Sequence, residues 1–344
     1  MYRRIKALQR DKTQLTRFVL FKIITFSRVL TIEEIIMIRQ FIEFSTLKSL
    51  LVCLLVSSQI TYAFSQTPPW QDKGRIVISS DGNEHDHDDW AATPLSLAII
   101  AAKGLQNRLA VYIYSDHIWG SNCEHPGVDG IQPYDQMKES AINGGKMFRF
   151  NQTRFICAVD NPEIAYEALK QEIDKSNAEN PLFIIAAGPL QVIGESISRA
   201  SSEKRKYVTL ISTINCWNDT HAANPYPWEN HTGWTMDEIK QHFSNSEGGD
   251  LKVISIQNQN PCLMKNWKEY EWLLTAPERN DPYYKKGSWT WLFNRLCMSI
   301  KPVSGTENYY AVDPSDAGKV VYLFTGIEHT TPQLCYELMR NPPR

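Results

Sequence analysis

The chain has 344 residues, with 36 Lys and Arg against 38 Asp and Glu. The balance is uneven: residues 1–63 carry ten basic and four acidic residues, which leaves 26 basic and 34 acidic beyond them, a net charge of about −8. So acidic a remainder argues against a nucleic-acid backbone as partner, and its length suits one large α/β domain.

The first 36 residues are basic and read as a dispensable or untranslated extension. Met37 then opens a short segment holding Arg39 and Lys48, followed by the apolar run Leu50-Leu-Val-Cys-Leu-Leu-Val56 and the small-residue site Thr61-Tyr-Ala63. An apolar run this short does not span a bilayer, so residues 37–63 read as a secretory signal peptide and the product as secreted or periplasmic, with no stable membrane anchor after processing. Residues 64–73 read as a linker, and 74–344 as the domain. Six cysteines lie beyond the signal segment, none in a Cys-x-x-Cys pair. Zinc therefore has little support, and disulfides are permitted but not needed.

The run Arg75-Ile-Val-Ile-Ser79 reads as a buried strand and Trp90-Ala-Ala-Thr-Pro-Leu-Ser-Leu-Ala-Ile-Ile as an apolar helix. Between them Asp81 to Asp89 read D-G-N-E-H-D-H-D-D. So many carboxylates repel one another unless a cation sits among them, and oxygen ligands suit a hard ion, Ca²⁺ before Mg²⁺. His85 and His87 read as hydrogen-bond partners of these carboxylates rather than as ligands. Leu109–Tyr114 is a second strand, ending in Ser115-Asp-His117, and a loop follows over about 120–135. Helix spacing covers 162–176. Pro181–Ala187, Tyr207–Ser212 and Leu251–Ile256 read as the third, fourth and fifth strands, and the pattern from Trp267 onward is mainly helical. Strands alternating with helices imply a mostly parallel sheet covered on both faces. In such a sheet, ligands sit beyond the carboxyl ends of the strands. The acid cluster, Asp116-His117, Ala187-Gly-Pro189 and the polar stretch Asn215-Cys-Trp-Asn-Asp-Thr-His221 all follow strands and should converge.

The strand, acid loop and helix resemble the N-terminal signature of the nucleoside hydrolase superfamily, an Asp-x-Asp-x-x-x-Asp-Asp loop. The segment Ile184-Ile-Ala-Ala-Gly-Pro-Leu-Gln191 is similar to that family's second landmark, an apolar strand ending in Gly-Pro-Leu-Thr-Asn. The resemblance covers the layout of most of 75–325, and these two motifs in letters. It implies a nucleoside-hydrolase-like parallel sheet with helices on both faces, bound Ca²⁺, and metal ligands at Asp88, Asp89 and the Ala187 carbonyl. The loop is one residue longer than the pattern and places Asn83 where the family has its second aspartate, so Asp81 and Asp86 compete as the base. The family's late His-Asp pair is absent. Asp316, in Asp313-Pro-Ser-Asp-Ala-Gly318, is the nearest replacement for its metal ligand, or else a helix N-cap.

The expected activity is therefore Ca²⁺-dependent hydrolysis of a glycosidic bond, N-ribosyl or related. Asp81 or Asp86 would activate water, and His221 or His117 would protonate the leaving group. Asn83, Asp116, His117, Asn215, Trp217 and Asn218 would line the pocket for a small sugar or nucleoside. Ten tryptophans keep an O-glycoside from a polysaccharide in view, and Asn83 with the missing histidine keeps a non-catalytic Ca²⁺-dependent sugar-binding protein in view. A two-metal phosphoesterase is a weaker reading. Monomer and homo-oligomer both stay open.

Overall fold

The apolar runs read from the sequence do form a parallel sheet. A computed structural model describes residues 67–82, 87–118, 135–214, 233–244, 250–278, 284–302 and 310–340. The leading segments 1–36 and 37–63 lie outside these residues. Six parallel strands, β1 (Arg75–Ser80), β2 (Leu109–Tyr114), β3 (Arg154–Cys157), β4 (Leu182–Ala187), β5 (Val208–Thr213) and β6 (Lys252–Ile256), are ordered β3-β2-β1-β4-β5-β6. This is the doubly wound order, in which the chain leaves the centre in one direction and returns to leave in the other. The two central strands, β1 and β4, pair from Arg75 opposite Leu182 to Ser80 opposite Ala187. Their carboxyl ends therefore finish level, at the point where the winding reverses.

Alternate residues of each strand enter two separate cores, as strand geometry requires. Ile76 and Ile78 of β1 join Tyr112, Phe183 and Ile185 on one face, whereas Val77 joins Val111 and Ile184 on the other. The first face is covered by α1 (Asp88–Ala102), together with α5 (Ser288–Met298), α6 (Gly318–Thr325) and α7 (Pro332–Arg340). The second is covered by α2 (Pro162–Asp174), α3 (Gln191–Arg199) and α4 (Met236–Phe243). α1 is buried on every side from Asp89 to Ala102, which explains why its sequence is apolar all round rather than striped.

Three features differ from the expected layout. β3 was not expected; it has four residues, one of them the exposed Arg154, too short a run to stand out. Asp135–Met147 forms helical turns interrupted by a π turn at Glu139–Asn143, where polar residues and Gly144-Gly145 obscured the pattern. Beyond Trp267 the described chain is mainly helical as expected, but β8 (Lys301–Pro302) and β9 (Tyr310–Val312) join β7 (Lys265–Asn266) in an unforeseen small antiparallel sheet, ordered β7-β9-β8. Within the expected linker, Trp70 is buried against Phe183 and Phe324, and its amide donates to the Leu323 carbonyl at 3.0 Å. Cys157, Cys262, Cys297 and Cys335 are free thiols. No helix among the described residues is long and apolar enough to cross a membrane.

One repair holds the start of α1 in place. Pro94 lies inside the helix and has no N–H for the carbonyl four residues earlier, that of Trp90. The Ser140 hydroxyl, carried by the π turn, donates to that carbonyl at 2.6 Å. The same Ser140 Oγ accepts from the buried Arg295 of α5, at 3.0 Å from Nε and 2.8 Å from the terminal nitrogen. Ser140→Ala should cost about 2 kcal/mol in urea unfolding, because a buried carbonyl loses its donor and the guanidinium an acceptor.

Candidate metal centre at the central strand ends

The first turn of α1 presents Asp88, partly buried, and Asp89, fully buried. Acids here complement the helix dipole. That alone does not account for a third aspartate arriving from far along the chain. Asp316 lies in the 3₁₀ turn Ser315–Ala317 that leads into α6, and one carboxylate oxygen from each of Asp88, Asp89 and Asp316 lies within 4.8 Å of the others. Oxygens around one Ca²⁺ are at most about 5 Å apart, twice the usual metal–oxygen distance, so the spacing fits a single hard ion. Asp316 is not the cap of that turn. Pro314 caps that turn and Ala317 caps α6, neither with a side-chain capping bond, and Asp313 Oδ1 accepts the Ser315 amide beside them at 3.3 Å.

At residue 82 the backbone comes close to Asp89 because that residue is glycine. Its φ is +87°, and a Cβ there would meet Asp89 Cβ at 3.0 Å and Met137 Sδ at 2.9 Å. Asp81 precedes it and is buried. The extension of β2 runs beside it, with the Ser115 amide donating to the Asp81 carbonyl at 3.3 Å and the Asp116 amide to the Ser80 carbonyl at 3.1 Å. Ser115 reaches this position with φ +52°. From β4, Ala187 ends its strand opposite Ser80. Gly188 then packs against the Asp116 carboxylate and, at 2.7 Å from where a Cβ would lie, against the Asp81 amide nitrogen. The glycine of Gly188-Pro189 is thus a close-approach residue as well as part of a turn.

Asp116 and His117, expected to line the pocket, have no accessible surface. Asp116 Oδ2 accepts the Ser79 hydroxyl at 2.6 Å. Burial first, and then the charge of Asp81, push the Asp116 carboxyl well above the ordinary carboxylate range, against the Ser79 bond. Asp116 is therefore a support beneath Asp81. Tyr112 ties the two acidic groups together: burial and then the charge of Asp89 raise its phenol, with a smaller push from Asp116, while bonds with Ser80 and Thr93 oppose them. Its hydroxyl donates to Thr93 Oγ1 at 2.8 Å. His87 stacks on Trp90, ring centroids 4.3 Å apart. Asn83, His85, Asp86, Asn215, Trp217, Asn218 and His221 lie outside the described residues.

Lys319, one turn beyond Asp316 on α6, was not singled out in the sequence. It is buried and its ammonium pairs with the Asp316 carboxylate. The signal was present as the i,i+3 spacing from an acid at a helix start, but a lysine in a helix is ordinarily solvated.

No protein-family model matches the chain, and no solved structure does. A protein of Formosa agariphila, named Uncharacterized protein P22, is 29% identical over 261 residues, 74% of this chain and 84% of that protein.

That relative extends over most of the domain and names no chemistry, so the reading of the site rests on its geometry. Gly188→Ala should lower stability by about 2 kcal/mol in thermal or urea unfolding, because the added methyl drives into Asp116 and the Asp81 backbone. The pH dependence has a definite sign. A carboxyl whose folded pKa is raised binds its proton more tightly when folded, so its contribution to stability is present at low pH and is lost as pH rises from the unfolded value through the folded one. Asp116→Asn should therefore be more stable than the native protein at pH 8, with the difference shrinking toward pH 4 in parallel unfolding curves.

Proposed function

We propose that the protein is a calcium-dependent hydrolase of a glycosidic bond, acting on an N-ribosyl or related sugar in the manner of nucleoside hydrolases. One observation carries the proposal: Asp88, Asp89 and Asp316 meet within 4.8 Å at the carboxyl edge of the sheet. The donors are all carboxylate oxygens, the chemistry of a hard divalent cation. Asp88, Asp89 and Asp316, with the Ala187 carbonyl at the end of the adjacent strand, would hold it. A bound Ca²⁺ supplies a Lewis acid for water and a template for two sugar hydroxyls.

The remaining roles belong to side chains. Asp81, at the mouth of β1, would accept the proton of the attacking water, and Asp86 is its alternative. Asp116, held by Ser79 and packed on Gly188, would fix the backbone at Asp81. Ionised Asp88 and Asp89 would favour the positive charge that develops on the sugar ring as the glycosidic bond breaks. His221 would serve as the leaving-group acid. His117, which has no accessible surface, is its alternative.

That burial favours a second reading, a sugar-binding protein that uses calcium and performs no reaction. Calcium titration, followed by turnover assays on nucleosides and oligosaccharides with and without chelator, separates the two. The proposal expects Ca²⁺ uptake that is lost in Asp89→Ala, chelator-sensitive hydrolysis, and a fall of at least about 100-fold in kcat for Asp81→Ala with the fold intact. Calcium-dependent sugar binding without turnover would select the second reading, and absence of divalent-ion uptake would remove both.

A further inference from the structure

Arg295 of α5 is an arginine buried without an ion pair. It is 4% exposed, and among the described residues its guanidinium meets no carboxylate partner. Burial disfavours its charge, and the charge of Glu139 opposes that from a distance. A guanidinium has five N–H donors, and here all of them go to neutral acceptors. Nε and one terminal nitrogen donate to Ser140 Oγ at 3.0 and 2.8 Å, and the same terminal nitrogen donates to the Gln136 carbonyl at 2.7 Å. The other terminal nitrogen donates to Gln136 Oε1 at 2.9 Å and to Met298 Sδ at 3.0 Å. The sulfur is the weak member of this set, because a thioether is a poor acceptor. Met298 ends α5 and is 41% exposed, whereas Met137, Met236 and Met339 are buried. One side of the guanidinium thus holds, through Ser140, the Trp90 carbonyl at the start of α1, and the other reaches the surface at a methionine.

We propose that Met298 is a site of oxidation by peroxides, at which the sulfoxide becomes a full acceptor for Arg295. A thioether has two lone pairs, so the bond from Arg295 leaves one for the oxidant. That pair attacks a peroxide oxygen, and the S–O bond forms as the O–O bond breaks. With hydrogen peroxide, the departing hydroxide takes the proton of the transferred oxygen and leaves as water. Sulfur loses two electrons and the peroxide gains them. The exposed side chain swings outward by the length of the new bond, and the sulfoxide oxygen takes the place the sulfur held. A hydrogen bond from the guanidinium to that oxygen is charge-assisted and stronger than the one it replaces. Methionine oxidation ordinarily disrupts packing. Here it supplies the acceptor that the buried charge lacks, and so tightens the network from Met298 through Arg295 and Ser140 to the first turn of α1. This holds whether or not the aspartates bind calcium.

The test uses the folded full-length protein. Dilute hydrogen peroxide, followed by tandem mass spectrometry of the digest, should oxidise Met298 before Met147 and Met264, which are partly buried, and before Met137, Met236 and Met339. Urea unfolding of native protein, Met298→Leu and Met298→Gln reads the hydrogen bond. Gln stands in for the sulfoxide, with a carbonyl oxygen on a chain of similar length, and Leu keeps the apolar surface and removes the acceptor. Met298→Gln should be at least as stable as native protein. Met298→Leu should unfold with an equilibrium constant about tenfold larger than that of Met298→Gln, because a buried donor loses its partner. Helix propensity and apolar surface alone would place Leu level with Gln or above it. Native protein oxidised at Met298 alone should keep its urea midpoint or raise it. Met298→Leu as stable as Met298→Gln would overturn the sulfur's role as acceptor, and a midpoint lowered by oxidation at Met298 would overturn the tightening. Oxidation of Met147 or Met264 ahead of Met298 would overturn the site itself.

Discussion

Carboxylates buried together repel one another, and the free energy of the arrangement must be recovered from opposite charge, hydrogen bonds or protonation. This constraint organises the carboxyl edge of the sheet. Asp89 and Asp116 have no accessible surface, Asp81 has little, and Asp88 and Asp316 lie partly covered beside them. Examples of all three are visible among the described residues. Asp116 receives the Ser79 hydroxyl, and its carboxyl is pushed up toward the neutral form. Asp316 is paired with Lys319. Asp88 and Asp89 occupy the first turn of α1, where the helix dipole favours them. Asp88, Asp89 and Asp316 bring three carboxylates together at one point, and that concentration of hard oxygen donors is the physical reason for proposing a divalent cation there.

The fold exists, in this sense, to bring those donors to one point. β1 and β4 finish level in the middle of the sheet because the winding reverses between them. The glycines at 82 and 188 let the backbone approach Asp89 and Asp116 more closely than any side chain would permit. The proline in α1 frees the Trp90 carbonyl, and Ser140 with Arg295 meets it again. That network fixes the turn from which Asp88 and Asp89 project. The 3₁₀ turn Ser315–Ala317, whose first amide donates to Asp313, does the same for Asp316.

Much of this architecture is legible in the sequence. The runs Arg75–Ser79, Leu109–Tyr114, Pro181–Ala187 and Tyr207–Ser212 are apolar because interior parallel strands are covered on both faces, and each corresponds to an observed strand, as does Leu251–Ile256 at the edge. β3 escapes because an edge strand of four residues with an exposed arginine carries little pattern. The two- and three-residue strands of the small sheet carry none. At the site, Asp88, Asp89 and Asp316 are legible from charge density and from the resemblance to nucleoside hydrolases. Asp116 and His117 are legible as special positions, but not as buried ones, since an acid and a histidine after a strand look the same whether they face a pocket or its floor. Lys319 is illegible because its meaning comes from an aspartate cluster assembled across the whole domain.

The central claim is that Asp88, Asp89 and Asp316 form one cation site at the switch point of the sheet. A crystal structure of the protein grown in calcium tests it most directly. The account predicts a single ion about 2.3–2.6 Å from carboxylate oxygens of all three aspartates, with the Ala187 carbonyl completing the protein ligands and Lys319 still paired with Asp316. A calcium-saturated crystal in which the three carboxylates close on the Lys319 ammonium, with no ion between them, would contradict it.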